Sequence, residues 1–233
     1  MPAAWRRDVQ AALERDPAAR SALTVALCYP GVHSLWGHRI SYWLWHRHAR
    51  LLARLTAEVT RMLTGVEIHP AATLGPGLFI DHATGVVIGE TTQIGADVTI
   101  YQGVTLGGTS TETGKRHPTV GDRVIIGSGA KILGPITIGD DSRIGANAVV
   151  VKPVPAGSVV VGVPGQVITR SRPHPATALP RTDDALLPDL VSVSLQSLMT
   201  RVGRLESLAD GHMVDHTIHP PDAGIWHGED FSI

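Results

Sequence analysis

The chain has 233 residues, of which 43% are hydrophobic and 18% are charged. This composition is typical of a globular protein with a substantial core and argues against intrinsic disorder. The formal net charge of −1 provides no basic field for nucleic acid or for an anionic membrane surface. Cys28 is the only cysteine, which excludes an internal disulfide. Residues 1–10 carry no signal-peptide pattern and no run of eighteen apolar residues occurs, so the sequence predicts a cytoplasmic protein without a membrane span.

Residues 1–65 are predicted to form a small α-helical domain. Apolar residues recur at helical spacing in three stretches, residues 3–15, 21–45 and 51–63, and the middle stretch divides near Pro30. The third stretch carries one apolar face, formed by Leu52, Leu55, Val59 and Met62. Gly65 suits the C-terminal cap of this helix. We expect the helical domain to cap one end of the array that follows, because repeat arrays need capping units.

Residues 66–170 carry an internal period of six residues. Aliphatic residues recur six apart in the series Ile88, Ile94, Ile100 and Leu106, and again in the series Val120, Ile126, Ile132, Ile138, Ile144 and Val150. A glycine follows many of them. Six residues suit one short strand and one tight turn, which glycine accommodates, and three such units make one coil of a triangular prism. The period therefore predicts a parallel β-helix whose aliphatic residues point inward.

The period breaks at two places, and each break carries a histidine. The phase slips by two residues over 81–85, which contain His82, and eight extra residues form a loop at 107–118, which ends in Arg116-His117-Pro118. A solenoid places its insertions on one face, which is often the binding face. The chemistry is therefore expected at these two breaks.

His82 is the candidate general base, because an unperturbed histidine titrates near neutral pH. A carboxylate could fix its tautomer and stabilise the imidazolium. The sequence offers two such carboxylates, that of the adjacent Asp81 and that of Glu67, which lies about one coil away.

Residues 171–233 are predicted to contain a linker, a short helix and a flexible tail. The linker covers residues 171–188, which are rich in Pro and Thr. The helix is indicated by a heptad seam formed by Val191, Leu195, Leu198, Val202 and Leu205. The tail begins at Gly211, is polar, and ends at Phe231-Ser232-Ile233.

The sequence motifs at the two breaks resemble those of serine O-acetyltransferase. The Asp-His-Ala-Thr-Gly block at 81–85 and the Lys-Arg-His-Pro sequence at 115–118 carry the resemblance, which extends over about residues 10–170 and fits the short, actinobacterial-like form. The family implies a left-handed β-helix and a cytoplasmic homotrimer or dimer of trimers. It also implies acetyl transfer from acetyl-CoA to the hydroxyl of L-serine, the first step of cysteine biosynthesis, without a metal.

The resemblance implies a role for each candidate site residue. His82 matches the general base, and Glu67 falls where the family usually has the Asp that orients it, which is a departure by one methylene. The amino acid substrate is placed on Asp16, Asp81, Arg116 and His117. Acetyl-CoA is placed along Gly108, Thr109, Ser128 and Ala146, with Arg143 and Lys152 as phosphate partners. From the residues alone, Asp16 could instead cap a helix that begins at Pro17, and Arg143 and Lys152 could be solvated charges.

The resemblance also implies two regulatory partners. L-cysteine is expected to inhibit by competing with serine, from which it differs at one side-chain atom. The terminal Ile233 is expected to insert into the active site of O-acetylserine sulfhydrylase (cysteine synthase), since its free carboxylate could be captured by backbone N–H groups.

Two other functions stay open at the level of sequence. A hexapeptide O-acetyltransferase for a sugar or xenobiotic hydroxyl would share the prism and the histidine, but it would have less use for the zwitterion-binding set Asp16, Asp81 and Arg116. A pure scaffold would need no general base. A metalloenzyme built on the same prism would use three histidines as metal ligands. Here His82 and His117 lie at the breaks, and His69 precedes a proline.

Overall fold

The computed structural model describes residues 2–170 together with residues 199, 200 and 202. Four helices lie within residues 2–64, namely α1 (Pro2–Arg15), α2 (Ala22–Cys28), α3 (Pro30–His46) and α4 (Arg50–Thr64). The strands that follow are β1 (Glu67–Ile68), β2 (Thr73–Leu74), β3 (Phe79–Ile80), β4 (Val87–Ile88), β5 (Gln93–Ile94), β6 (Thr99–Ile100), β7 (Thr105–Gly107), β8 (Thr119–Val120), β9 (Ile125–Ile126), β10 (Lys131–Leu133), β11 (Thr137–Ile138), β12 (Arg143–Ile144), β13 (Val149–Val150), β14 (Ser158–Val161) and β15 (Gln166–Arg170).

The chain divides into two units, Met1–Leu187 and Pro188–Ile233. In the second unit Met199, Thr200 and Val202 are helical and exposed. The other residues of the predicted linker, heptad seam and tail lie outside the described residues. The predicted domain boundaries after residues 65 and 170 stay a prediction.

The strands wind into a parallel prism with three faces. Face A consists of β1, β4, β7, β10 and β13, face B of β2, β5, β8 and β11, and face C of β3, β6, β9, β12, β14 and β15. From β1 to β13 successive strands belong to successive faces, so each of these coils adds one strand to every face. Only β15 is antiparallel among the described strands, where it pairs with β14.

The six-residue period gives the prism its core. On face A the aliphatic residues stack in register from coil to coil in the order Ile68, Ile88, Leu106, Ile132 and Val150. All of them are at most 5% exposed, and burying such a side chain contributes roughly 1.5–3 kcal/mol. Glycine is required where the coils approach each other: a Cβ on Gly75 would lie 2.3 Å from the carbonyl oxygen of Gly95 in the next coil. The predicted inward-facing aliphatic residues are confirmed.

The helices pack onto the first coils of the prism. Helices α1 and α3 contact β3, and α4 leads into β1. Phe79 of β3 is buried against the helices with Ala12 and Val32. A Cβ on Gly31 would lie 2.0 Å from the carbonyl oxygen of Ile80, so α3 approaches face C as closely as glycine allows. The guanidinium of Arg15 bonds the Asp97 carboxylate at 2.9 Å, which ties α1 to the second coil.

Two details of the helical domain differ from the sequence-based expectations. The alternative assignment of Asp16 as a helix cap is wrong, because α2 begins at Ala22 and is capped by Ser21, whose Oγ accepts from the Thr24 N–H. The apolar face expected on α4 exists, but its residues are more than half exposed rather than packed on the prism. Gly65 caps α4 in the left-handed conformation as predicted, with φ of 72°.

His38 joins α3 to the first coil from within the core. It is 4% exposed, and its Nε2–H donates to the carbonyl oxygen of Ala72 at 3.1 Å. Burial lowers the pKa of His38 to about 4, because the charged imidazolium would lose its hydration.

We predict that His38 makes the protein less stable in mild acid. Its pKa is lower in the folded chain than the value near 6.5 in the unfolded chain, so the unfolded chain binds more protons between about pH 6.5 and pH 4. The free energy of unfolding should therefore fall as the pH falls through this range, by about 3 kcal/mol at most from this residue. Urea unfolding of wild type and His38→Gln between pH 4.5 and 7.5 measures the effect. The exposed His48→Gln control should keep the wild-type pH dependence, and equal slopes for all three proteins would refute the prediction.

Candidate active site

His82 sits at the corner between faces C and A, which is called the C–A edge. The chain turns there with His82 and Ala83 in the left-handed conformation, at φ values of 57° and 54°. Asp81 holds this turn, since its Oδ1 accepts from the His82 backbone N–H at 2.9 Å. The His82 side chain is 72% exposed, and its Nε2 lies 3.8 Å from Asp81 Oδ2. The imidazole therefore projects from the edge, as a group that must reach a substrate would.

A second carboxylate, that of Asp16, joins His82 and Asp81 from the end of α1. The Tyr29 hydroxyl donates to Asp16 Oδ2 at 2.5 Å, and the Ala18 N–H donates to Asp16 Oδ1 at 2.7 Å. Burial raises the pKa of the Asp81 carboxyl, His82 counteracts this rise, and the negative charge of Asp16 adds to it. The hydrogen bond to Asp16 and burial raise the pKa of Tyr29 to about 12, so the phenol remains a donor. This carboxylate cluster attracts a cation.

Glu67 occupies face A at the start of the same edge. Its side chain is exposed, and it lies in electrostatic range of Arg61. The carboxylate that the structure places beside His82 is that of Asp81. A contact between Glu67 and His82 therefore stays a prediction.

The long loop forms a second group at the corner between faces A and B, the A–B edge. Thr91 organises it: its Oγ1 accepts from the backbone N–H groups of Arg116 and His117, each at 3.0 Å. The Thr91 N–H donates in turn to His117 Nδ1 at 3.2 Å. The imidazole of His117 fits because Gly89 and Gly108 have no Cβ, which at Gly89 would lie 2.0 Å from the ring.

The A–B edge is the positive half of the site. Burial lowers the pKa of His117, and the charge of Arg116 lowers it further, so the ring is neutral near pH 7. Since Nδ1 accepts from Thr91, the proton of the neutral ring lies on Nε2. Arg116 bonds Glu90 at 2.5 Å through one terminal nitrogen, and the Lys115 ammonium donates to the Thr91 carbonyl oxygen at 2.7 Å.

The two groups lie at opposite edges of face A. The carboxylate cluster with His82 follows face C, whereas Arg116 and His117 follow face A and precede face B. Among the described residues, no hydrogen bond or ion pair joins the two groups. One chain therefore brings Asp16, Asp81 and His82 together and Arg116 and His117 together, but it does not join the two sets.

Comparisons with known proteins identify the family of this chain. Residues 117–152 match the family model "Bacterial transferase hexapeptide (six repeats)", and residues 85–111 match "Hexapeptide repeat of succinyl-transferase". The chain is 67% identical over all 233 residues to the serine acetyltransferase of Mycobacterium tuberculosis, and the match covers 100% of both chains. The chain belongs to the serine acetyltransferase family.

Solved serine acetyltransferases share the fold. The Neisseria gonorrhoeae enzyme in complex with serine is 44% identical with a TM-score of 0.70, over 72% of this chain and 69% of that one. The Brucella abortus enzyme in complex with coenzyme A is 42% identical with a TM-score of 0.72, over 73% and 68%. A serine acetyltransferase in complex with cysteine is 45% identical with a TM-score of 0.71, over 72% and 69%. The predicted fold class is confirmed, and a left-handed winding is consistent with these neighbours.

The residues expected to bind acetyl-CoA fall at both edges. Ser128 and Ala146 lie at C–A corners of later coils, along the same edge as His82. Hydrogen bonds link these corners from coil to coil, such as the one from the Asn147 N–H to the Ser128 carbonyl oxygen at 2.8 Å. Gly108 and Thr109 lie in the loop at the A–B edge. Arg143 is half-buried on face C, and the exposed Lys152 follows β13 at the A–B edge.

Sequence reasoning missed three organising residues. Tyr29 was hidden in the break between two helices, and its hydroxyl reaches Asp16 only because α2 folds back. Thr91 and Glu90 belong to an ordinary hexapeptide corner, and their role depends on the long loop folding back over one coil. The signal that could have found Glu90 and Thr91 is their position, one coil before the inserted loop and at the same corner.

Proposed function

We propose that this serine acetyltransferase family member transfers the acetyl group of acetyl-CoA to the hydroxyl of L-serine, in the cytoplasm, and so starts cysteine biosynthesis. The proposal rests on two groups of side chains. One is the carboxylate cluster beside the exposed His82, and the other is the guanidinium of Arg116 with the neutral imidazole of His117. These groups complement an ammonium, a hydroxyl and a carboxylate, and full-length similarity to a serine acetyltransferase supports the same substrate. A sugar hydroxyl would leave the charged groups unmatched. Among the residues that the structure describes, no helix is long and apolar enough to cross a membrane.

The amino acid is held by charge at both ends. Asp16 and Asp81 bind the ammonium, and Tyr29 keeps the Asp16 carboxylate turned toward the cluster. Arg116 binds the carboxylate, because its guanidinium has further N–H groups beyond the one that bonds Glu90. His117 donates its Nε2–H to the same carboxylate, as its Nδ1 is already an acceptor.

His82 moves the proton. Its imidazole takes the proton of the serine hydroxyl as the oxygen attacks the thioester carbonyl carbon, and the C–S bond then breaks. The proton passes from His82 to the departing CoA thiolate, so O-acetylserine and CoA leave and the enzyme is unchanged. We assign backbone N–H groups of Gly107-Gly108 as donors to the oxyanion. Asp81, with Glu67, favours the imidazolium electrostatically.

We propose that each site is shared between two chains of a homotrimer. The C–A edge of one prism would meet the A–B edge of its neighbour, because the two sets of residues lie at opposite edges of face A within one chain. Acetyl-CoA would lie in the groove between the same edges, along Ser128 and Ala146 of one chain and Gly108 and Thr109 of the next. Arg143 and Lys152 would bind its phosphates. Sedimentation distinguishes a trimer from a dimer of trimers.

We predict that wild type consumes acetyl-CoA with L-serine and not with a panel of sugars. His82→Ala should lower kcat by at least about 100-fold, since a positioned base contributes roughly 10²–10⁴-fold. His48→Ala is the matched control, as His48 is also exposed and has a φ of 61°. A His82→Ala enzyme with the kcat of the control would remove His82 from the mechanism, and preference for a sugar would replace the proposed substrate.

We predict that the inactive variants His82→Ala and His117→Ala complement each other when they are co-expressed. In a cyclic trimer that contains both variants, one of the three sites is intact if the two histidines come from different chains, so about a third of the wild-type activity should return. Activity of affinity-purified mixed trimers, with each variant alone as a control, measures this fraction. Mixed trimers without activity would mean that both histidines act within one chain.

We further propose that L-cysteine inhibits by occupying the serine site. It carries the same ammonium and carboxylate, so Asp16, Asp81 and Arg116 would hold it equally well. A solved serine acetyltransferase of similar fold is in complex with cysteine. Inhibition that serine cannot overcome would place the inhibitor elsewhere.

The terminal Ile233 lies outside the described residues, and we propose that it binds O-acetylserine sulfhydrylase. We predict that a peptide of residues 230–233 binds that enzyme and that deletion of Ile233 abolishes the complex but not acetyl transfer. The free carboxylate would be captured by backbone N–H groups. Calorimetric titration of full-length and truncated proteins compares the two, and equal affinity would show that the contact lies elsewhere.

A further inference from the structure

Helix α4 exposes a continuous apolar face. Its exposed fractions are 73% for Leu51, 56% for Leu52, 53% for Leu55, 55% for Val59, 76% for Met62 and 80% for Leu63. Contiguous apolar surface of this kind marks an interaction site on a soluble protein. We refer to these six residues as the α4 face.

The α4 face is directed away from the rest of its own chain. At about 100° per residue its six members fall on one side of the helix, whereas Ala53 and Thr64 are buried on another side. Thr60 also belongs to this buried side, because a Cβ on Gly37 of α3 would lie 2.2 Å from its hydroxyl. Packing against α3 therefore leaves the α4 face uncovered.

Helix α4 joins the prism at face A. Helix α3 covers face C, where Gly31 contacts Ile80, and the first A–B corner, where His38 bonds Ala72. Helix α4 instead contacts β1, the first strand of face A. Helix α4 therefore continues directly into face A, and its apolar side is turned away from α3.

We propose that the α4 face packs against the same face of the two other copies, around the three-fold axis of the trimer. The inference rests on the proposed function, since sharing of the site requires the C–A edge of each prism to meet the A–B edge of the next. Both edges border face A, so closing three copies turns face A, and α4 with it, toward the axis. Three α4 helices then bury one another's apolar residues at the end of the prism.

The charges beside the α4 face support packing of identical helices. Arg54, Glu58 and Arg61 are exposed on the side of α4 that adjoins it, and Arg61 forms an ion pair with Glu58. An apolar centre with a rim of charges of both signs is typical of an interface. Identical copies can then approach without an excess of like charge.

The test compares Leu55→Glu with Leu23→Glu, an exposed leucine of α2 that lies outside the α4 face. Leu55→Glu should sediment as a monomer at micromolar concentration, keep its helical circular dichroism, and lose acetyl transfer in parallel, because each site needs two chains. Leu23→Glu should keep the trimer and the activity. A trimeric, active Leu55→Glu enzyme, or dissociation of both variants, would overturn the inference.

Cross-linking tests the contact without disrupting it. In a Cys28→Ser background, Val59→Cys should give covalently linked chains with a short bis-maleimide, whereas Leu23→Cys should remain single. Chains that stay single in both variants would mean that another segment of this chain or another protein covers the α4 face. A wild-type protein that is monomeric or inactive with serine would instead refute the proposed function, so the two failures are distinguishable.

Discussion

The hydrogen bonding of each coil to the next is the constraint on which the rest of the structure depends. It places every sixth residue in the core and every corner above another corner, as the register of Ile68, Ile88 and Leu106 shows. The chain departs from this period at two edges. His82 lies where the period slips by two residues, and His117 lies where the loop is inserted. The stacking of coils thereby determines which small residues lie below His82.

Each half of the site depends on one hydroxyl group for its order. Tyr29 fixes the Asp16 carboxylate, and Thr91 binds both backbone N–H groups at the end of the long loop and the ring of His117. The two halves carry opposite charge, negative at the C–A edge and positive at the A–B edge. This separation suits a zwitterionic substrate and keeps Asp81 and Arg116 from neutralising each other within one chain.

The helical domain has two roles that follow from how it packs. Helices α1 and α3 close the first coils and deliver Asp16 to the edge that carries His82. Helix α4 joins the prism through β1 and leaves its apolar face free. A chain whose candidate substrate-binding groups lie on two edges, and whose apolar helix joins the face between them, has the features of one subunit of an assembly.

The sequence by itself determined the prism, its inward-facing residues and the two breaks that carry His82 and His117, because a six-residue period fixes which side chains are buried. It also determined the extent of α4 and its cap at Gly65. Only the tertiary structure decided that Asp16 bonds Tyr29 and lies in electrostatic range of Asp81 rather than capping a helix, since these positions are far apart in the chain. It likewise decided that the Asp81 carboxylate lies beside His82, and that the apolar side of α4 is open, because periodicity identifies an apolar face but not what covers it.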